Sequence, residues 1–301
     1  MLHPILKSQN DSHHIRLLKA STVAYTRAKS WEIIITYVLI ILAFAYPVTY
    51  VITKNEGFKL GLFICSFLLT VVVQLFMDVF KGNTSKGAIY KEAFDVSLFN
   101  LPWKTTLTPP NDDEIHELAQ LYKGNDIRDW YSTQLSPAIP DHTAVAILQY
   151  SNTSWDILLR KKYMVLLIRF VCIYSIGLGI FLLIRQVNPR TTFLLLFSVL
   201  SFYTHFISLI RAHKAVINRR EYISGILNNL IRQKKEISTQ ELRDIQDEIY
   251  ITRQEATKVP NFFFRWHQKE MNDAAENYIH EINILYQTSA SPPVTMDKGA
   301  L

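Results

Sequence analysis

Apolar residues in this chain gather into four blocks separated by polar stretches. The blocks are 33–52 (IIITYVLIILAFAYPVTYVI), 58–80 (FKLGLFICSFLLTVVVQLFMDVF), 163–184 (YMVLLIRFVCIYSIGLGIFLLI) and 191–210 (TTFLLLFSVLSFYTHFISLI). A helix needs about 20 mostly apolar residues to cross a hydrocarbon core, and each block supplies them. Four such runs in 301 residues are not the pattern of core helices in a soluble protein. Residues 1–32 are polar and amphipathic, so the first block reads as a span and not as a signal peptide. The short links 53–57 and 185–190 join the spans into two hairpins.

Charge sets the orientation. Arg16, Lys19, Arg27, Lys29, Lys81, Lys86, Lys91, Arg160, Lys161, Lys162, Arg211, Lys214, Arg219 and Arg220 flank one side of the spans. Only Lys54, Lys59, Arg185 and Arg190 flank the other. The positive-inside rule then places both termini and the middle segment in the cytoplasm. Three soluble pieces lie on that face. Residues 1–32 form an amphipathic N-terminal helix. Residues 81–162 are a mixed insert, with Asn111 capping a helix through Ile115 and Leu118 and a further helix running from His142 into the third span. In 211–287 the fourth span continues to about Lys235, Ser238 and Glu241 open a second helix as a capping box, and a third starts at Asn261. The tail 288–301, rich in small and polar residues, reads as disordered. No piece alone offers a comfortable core, so the economical arrangement is one helical assembly joined rigidly to the spans at 160–162 and 211–214. The fold class is all-α: an integral membrane protein with four transmembrane helices (hairpins 33–80 and 163–210) and a cytoplasmic helical assembly.

Composition narrows the chemistry. Lys+Arg 32 against Asp+Glu 26 gives a net charge of +6, without a basic run of the kind that binds a nucleic acid polymer. Charged residues make up 19%, below the ~25% of soluble chains. Two cysteines, Cys65 and Cys172, rule out a disulfide framework or a four-cysteine zinc site and lie in apolar runs. There is no phosphate-cradling glycine loop, no zinc-binding histidine pair and no serine elbow. Neither a metal nor a cofactor is expected. Asp112, Asp113, Glu114 and Glu117 read as the acidic start of a helix.

Polar residues inside spans are costly and often functional. Gln74, Asp78, Arg169 and His205 are the candidates here. They either anchor helices and pair them, Asp78 with Arg169 at the interface, or line a polar path when the spans rearrange. In the soluble part three stretches mix aromatics with charge: FDVSLFNLPW (94–103), SNTSWDILLR (151–160) and 244–266. Trp103, Trp155 and Trp266 can stack bases while Arg160, Arg253 and Arg265 hold phosphates. The competing reading makes the same aromatics the core of the helical assembly.

Those stretches, with DIQDEIY (244–250) and VPNFFFRW (259–266), resemble the signature segments of the SMODS-associating four-transmembrane effector family. Gln9–Asn10, the run LLKA (17–20), Tyr25 and Ala28–Lys29 fit the same pattern, in order along nearly the whole chain. The resemblance implies a bacterial antiviral effector of the CBASS type, encoded beside a nucleotidyltransferase that makes a cyclic oligonucleotide. It further implies an effector that answers this regulatory ligand by disrupting the inner membrane. The expectation is thus a non-enzymatic, homo-oligomeric effector in the lipid bilayer that is gated by a cyclic nucleotide. The alternatives are a membrane-anchored interaction protein, a four-span channel without nucleotide gating, or a membrane enzyme using Asp95, Asp112 or Asp156.

Overall fold

The computed structural model describes residues 2–287, without the side chains of 74–80, and contains no strand among the described residues. After a 3-10 turn at Pro4–Leu6 come α1 (Ser12–Ile52), α2 (Glu56–Leu98), α3 (Asp112–Gln120), α4 (Asp141–Ile184), α5 (Pro189–Ser198), α6 (Leu200–Arg232), α7 (Thr239–Glu255) and α8 (Asn261–Gln287). The tail 288–301 lies outside the described residues.

Helices α1, α2 and α4 contain 41, 43 and 44 residues. At 1.5 Å per residue each is about 60–65 Å long, twice a hydrocarbon core of about 30 Å. The boundaries expected at 32/33, 80/81 and 162/163 therefore fall inside helices. The N-terminal amphipathic helix and the first span are one element. The start of the middle insert continues the second span to Leu98. GNTSKG (82–87) looks like a turn in sequence, yet it stays helical because its bare glycine backbone meets α1. A Cβ on Gly87 would sit 2.6 Å from the Tyr25 ring, and Ser21 Oγ donates to the Gly87 carbonyl at 2.9 Å.

Among the described residues three helices are long and apolar enough to span a membrane, and α5 and α6 together make a fourth, bent by 42°. The fourth span expected over 191–210 is thus broken around Val199. A side chain inserted at the bend explains it: Ser66 Oγ of α2 donates to the Ser198 carbonyl at 2.5 Å, drawing it toward α2. A second irregularity is met from outside in the same way. Pro47 inside α1 has no N–H for the Ala43 carbonyl, and the Tyr174 hydroxyl donates to that oxygen at 2.7 Å.

The caps follow the sequence. Asn111 accepts from Asp113 N at 2.8 Å, Asn188 from Thr191 N at 2.9 Å, and Ser238 with Glu241 forms a full capping box. Two apolar cores result. One, among the polar ends of the helices, gathers Leu17, Phe94, Leu118, Leu148, Leu227, Ile249 and Ile279 from α1–α4 and α6–α8. The other, among the spans, gathers Tyr50, Tyr174, Leu195, Phe202 and Phe206, with Phe263 from α8. Ile41, Ile173 and Leu183 turn outward from the spans, where lipid would cover them.

Two glycines on exchange for alanine are expected to separate in sign. Gly225 has nothing within 4 Å of its Cβ position, so Gly225→Ala should stabilise α6 by up to about 1 kcal/mol. Gly87→Ala should cost about 1–3 kcal/mol by overpacking, because its Cβ would sit 2.6–2.9 Å from three atoms of the Tyr25 ring, which Lys258 Nζ also approaches to 3.9 Å. Thermal unfolding in detergent reads both.

Candidate functional site

Between the two cores lies a layer of buried charge. Helix α4 carries Asp156 and Arg160 one turn apart, a spacing that pairs side chains on one face. Arg160 Nε donates to Asp156, which Arg220 Nη1 of α6 approaches at 3.1 Å. Arg160 Nη1 reaches the Thr257 carbonyl at 2.8 Å and His213 Nδ1 at 3.0 Å. Thr257 and Lys258 lie in the linker between α7 and α8. Lys258 N donates to Glu32 Oε2 of α1 at 3.2 Å, and its Nζ to the Arg253 carbonyl at 3.3 Å. Helices α1, α4, α6 and α7 therefore meet at one charged joint.

Burial alone would raise the Asp156 carboxyl, but Arg160 and Arg220 hold it well below the usual carboxylate range. Desolvation, reinforced by Arg160, pushes His213 down to about 3 and keeps it neutral. Burial also drives the Lys258 ammonium well below its ordinary value. Arg220 Nε, His213 Nε2 and Thr257 Oγ1 are buried with no hydrogen-bond partner among the described residues.

A second network sits one layer further from the spans, around α7. Arg243 Nη2 contacts Glu92 Oε1 at 2.5 Å and Asp247 Oδ1 at 2.6 Å. Arg253 Nη2 pairs with Asp95 Oδ2 at 2.6 Å, and Tyr131 OH donates to Asp95 Oδ1 at 2.8 Å. Lys91 Nζ, 3.2 Å from Asp95, lies 4.2 Å from the ring of exposed Trp130. Burial pushes Lys91 down to about 7, only partly offset by Asp95. Asp95 is lowered despite its burial, by Arg253 and then Lys91.

The six sequence-selected residues do not form one cluster. Arg253 stands in the second network, and Trp103 adjoins it, since the Pro102 carbonyl beside it accepts from Arg243 Nη1 at 3.3 Å. Trp103 is half-buried, its Nε1 donating to the Leu107 carbonyl at 2.6 Å. Arg160 belongs to the joint. Trp155 bonds Asn272 at 3.1 Å and lies 5.2 Å from Phe264, at the start of α8, where Arg265 and Trp266 are exposed. Sequence reading passed over Glu92, Trp130 and Lys258 and counted Lys91 and Arg220 only as charges flanking the spans. The i,i+4 pairs Lys91–Asp95 and Arg243–Asp247 were the signal for the second network.

Of the intramembrane candidates, the side chains of Gln74 and Asp78 lie outside the described residues. Arg169 is exposed. His205 Nε2 meets Thr36 Oγ1 at 3.0 Å, and that hydroxyl also donates to the Glu32 carbonyl at 2.8 Å. One turn along α6 from His205, Ser201 Oγ lies 2.5 Å from Thr70 Oγ1. Beyond it Ser66 bonds the Ser198 carbonyl, and Tyr50 OH lies 2.9 Å from Ser198 Oγ and donates to the Lys59 carbonyl at 2.9 Å. A polar thread thus runs among α1, α2, α5 and α6 from the joint to the far ends of the first two spans. A crevice of about 450 Å³ opens beside its upper part, lined by Glu32, Thr70, Lys81, Ser201, His205 and Thr257.

These features define a multi-span, all-helical membrane protein whose spans are bonded to a helical body. The SMODS-associating 4TM effector domain matches residues 3–282, and the chain belongs to that family. A probable CBASS effector molecule of Bacillus cereus is 26% identical over 190 residues, 59% of this chain and 63% of that protein. The alignment thus spans under two thirds of the relative's length. No solved structure matches the chain.

Asp156→Ala is expected to lower stability by about 3–5 kcal/mol, because two buried guanidinium groups lose their counter-ion. The Asp156 carboxyl is depressed in the folded state. Its stabilising contribution is therefore complete above the unfolded value of about 4 and is lost as pH falls below it. Unfolding followed from pH 7 to pH 3 should show wild type losing stability toward the variant at the acid end.

Proposed function

We propose that this chain is an effector of CBASS antiphage defence that binds a cyclic oligonucleotide and then permeabilises the bacterial inner membrane. Both termini and the helical body face the cytoplasm, as the flanking lysines and arginines favour. The observation that carries the reading is the hydrogen-bonded connection from the α7 network through the joint to the polar thread. Glu32 is the link, with its carboxylate on the Lys258 backbone and its carbonyl on Thr36.

The messenger is read where Trp103 and Trp130 flank Arg243, Arg253 and Lys91. Its phosphates compete with Glu92 and Asp95 for those cations, and its bases stack on the indoles. Shifting a two-state population from 1:99 to 99:1 takes about 5.5 kcal/mol. Hydrogen bonds to charged groups contribute about 1.5–3 kcal/mol each, so exchange of a few partners supplies that difference. Moving α7 relative to α2 pulls on the Arg253 carbonyl, Lys258 and Glu32. The hydroxyls of the thread, which now bond backbone carbonyls and one another, then turn to water. Four spans enclose little room, so the open path forms in a homo-oligomer. The reading needs no catalytic step and no resident cofactor, and it is supported by the engagement of Asp95 and Asp156 with guanidinium groups.

Dye-loaded vesicles carrying the protein are expected to leak when the matching cyclic oligonucleotide is added. Ser201→Trp, which fills the thread, should abolish the leak while keeping nucleotide binding. Leakage by Ser201→Trp at the wild-type rate would refute the path, and silence across a full panel of cyclic nucleotides would refute the gating.

A further inference from the structure

On the opposite side of Glu32 from the crevice, α1 and α4 part to leave a slot of about 230 Å³ at the membrane boundary. Its walls are apolar and continue the first, third and fourth spans: Ile33, Ile40, Leu166, Leu167, Phe170 and Phe206. Its polar end holds Lys29 and Lys258, and Phe262 of α8 stands at its rim. The start of α8 is fixed at this level. Lys29 Nζ donates to Asn261 Oδ1 at 2.7 Å, and Phe263 is buried 5.2 Å from Tyr163, the first residue of the third span.

The outer face of that start is unusual. Phe262, Arg265, Trp266 and Lys269 recur at helical spacing and are all exposed, Phe262 at 52% and Trp266 at 79%. Exposed aromatics alternating with basic residues, level with the end of a span, have the composition of a helix lying among lipid headgroups. Two lysines, Lys29 and Lys258, line the slot with the carboxylate of Glu32.

We propose that this slot binds one anionic phospholipid of the surrounding bilayer, its acyl chain between α1 and α4 and its phosphate against Lys29 and Arg265. The apolar walls match a hydrocarbon chain and exclude a free nucleotide. The basic rim selects a negative headgroup over a zwitterionic one, with each cation near a membrane surface contributing about fivefold in affinity. Phe262 and Trp266 lie over the glycerol backbone. The site stands apart from the messenger site on α2 and α7, and it stands or falls independently of nucleotide gating.

The full-length protein, purified in mild detergent and supplied with equal phosphatidylglycerol and phosphatidylcholine, is examined by native mass spectrometry. Retention of one phosphatidylglycerol, in preference to phosphatidylcholine by at least fivefold, is expected. Ile40→Trp and Leu166→Trp, which fill the slot from opposite walls, should each lose the retained lipid. Lys29→Gln with Arg265→Gln should keep a lipid but remove the preference. Circular dichroism and the thermal midpoint confirm that each variant is folded, and two filling variants guard against the failure of one. Equal retention of both lipids by the wild type overturns the proposal, as does undiminished retention by a folded filling variant. Displacement of the lipid by millimolar inorganic phosphate would show a free-phosphate site and overturns it also.

Discussion

A charge removed from water must find a counter-charge nearby, and that constraint organises this molecule. Two apolar cores are stacked along the helices, and the charged layer between them belongs to neither. Asp156 sits between Arg160 and Arg220, and Glu32 holds the backbone of Lys258. Such pairs are poor sources of stability, because apolar side chains of similar volume often do as well or better. What they provide is discrimination: the helices fit together in one register, and another register leaves ions bare. Arg220 Nε and His213 Nε2 have no hydrogen-bond partner among the described residues, and buried donors of that kind are the costly members of such a network.

Much of the architecture was legible because its determinants are local. The Asn111 cap and the Ser238–Glu241 capping box each act over a few positions and form as expected, and three of the four apolar runs form unbroken helices. The continuity of α1 and α2 through the membrane boundary was not legible, since no local signal marks a boundary that the backbone ignores. The bend in the fourth span was hidden for a different reason. It depends on Ser66, which is 132 positions away from Ser198 in sequence. The same distance hid the polar thread: the serines and threonines of the spans are visible individually, but their alignment is a tertiary fact. Arg160 and Arg253 were legible as unusual residues and Asp95 and Asp156 as candidate carboxylates, whereas the pairing of Arg253 with Asp95, 158 positions apart, was not.

The segments that carry the family resemblance acquire a physical meaning here. FDVSLFNLPW contains Asp95, SNTSWDILLR contains Asp156 and Arg160, and DIQDEIY contains Gln246 and Asp247. All of them are members of the buried networks. VPNFFFRW supplies Phe262 of the slot and Phe263 of the transmembrane core. What the resemblance registers is therefore the set of ties between the two halves of the protein, more than the apolar composition of the spans.

The long helices themselves have a mechanical consequence. Because α1, α2 and α4 cross the boundary as single rods, no hinge there can absorb a displacement of the helical body. Tilt at one end must appear as tilt at the other, magnified or reversed by the position of the fulcrum. Among the described residues the fourth span alone is a bent pair of helices, jointed around Val199. The assembly therefore resembles three stiff levers and one elbow, and its softest coordinate is the angle of that elbow.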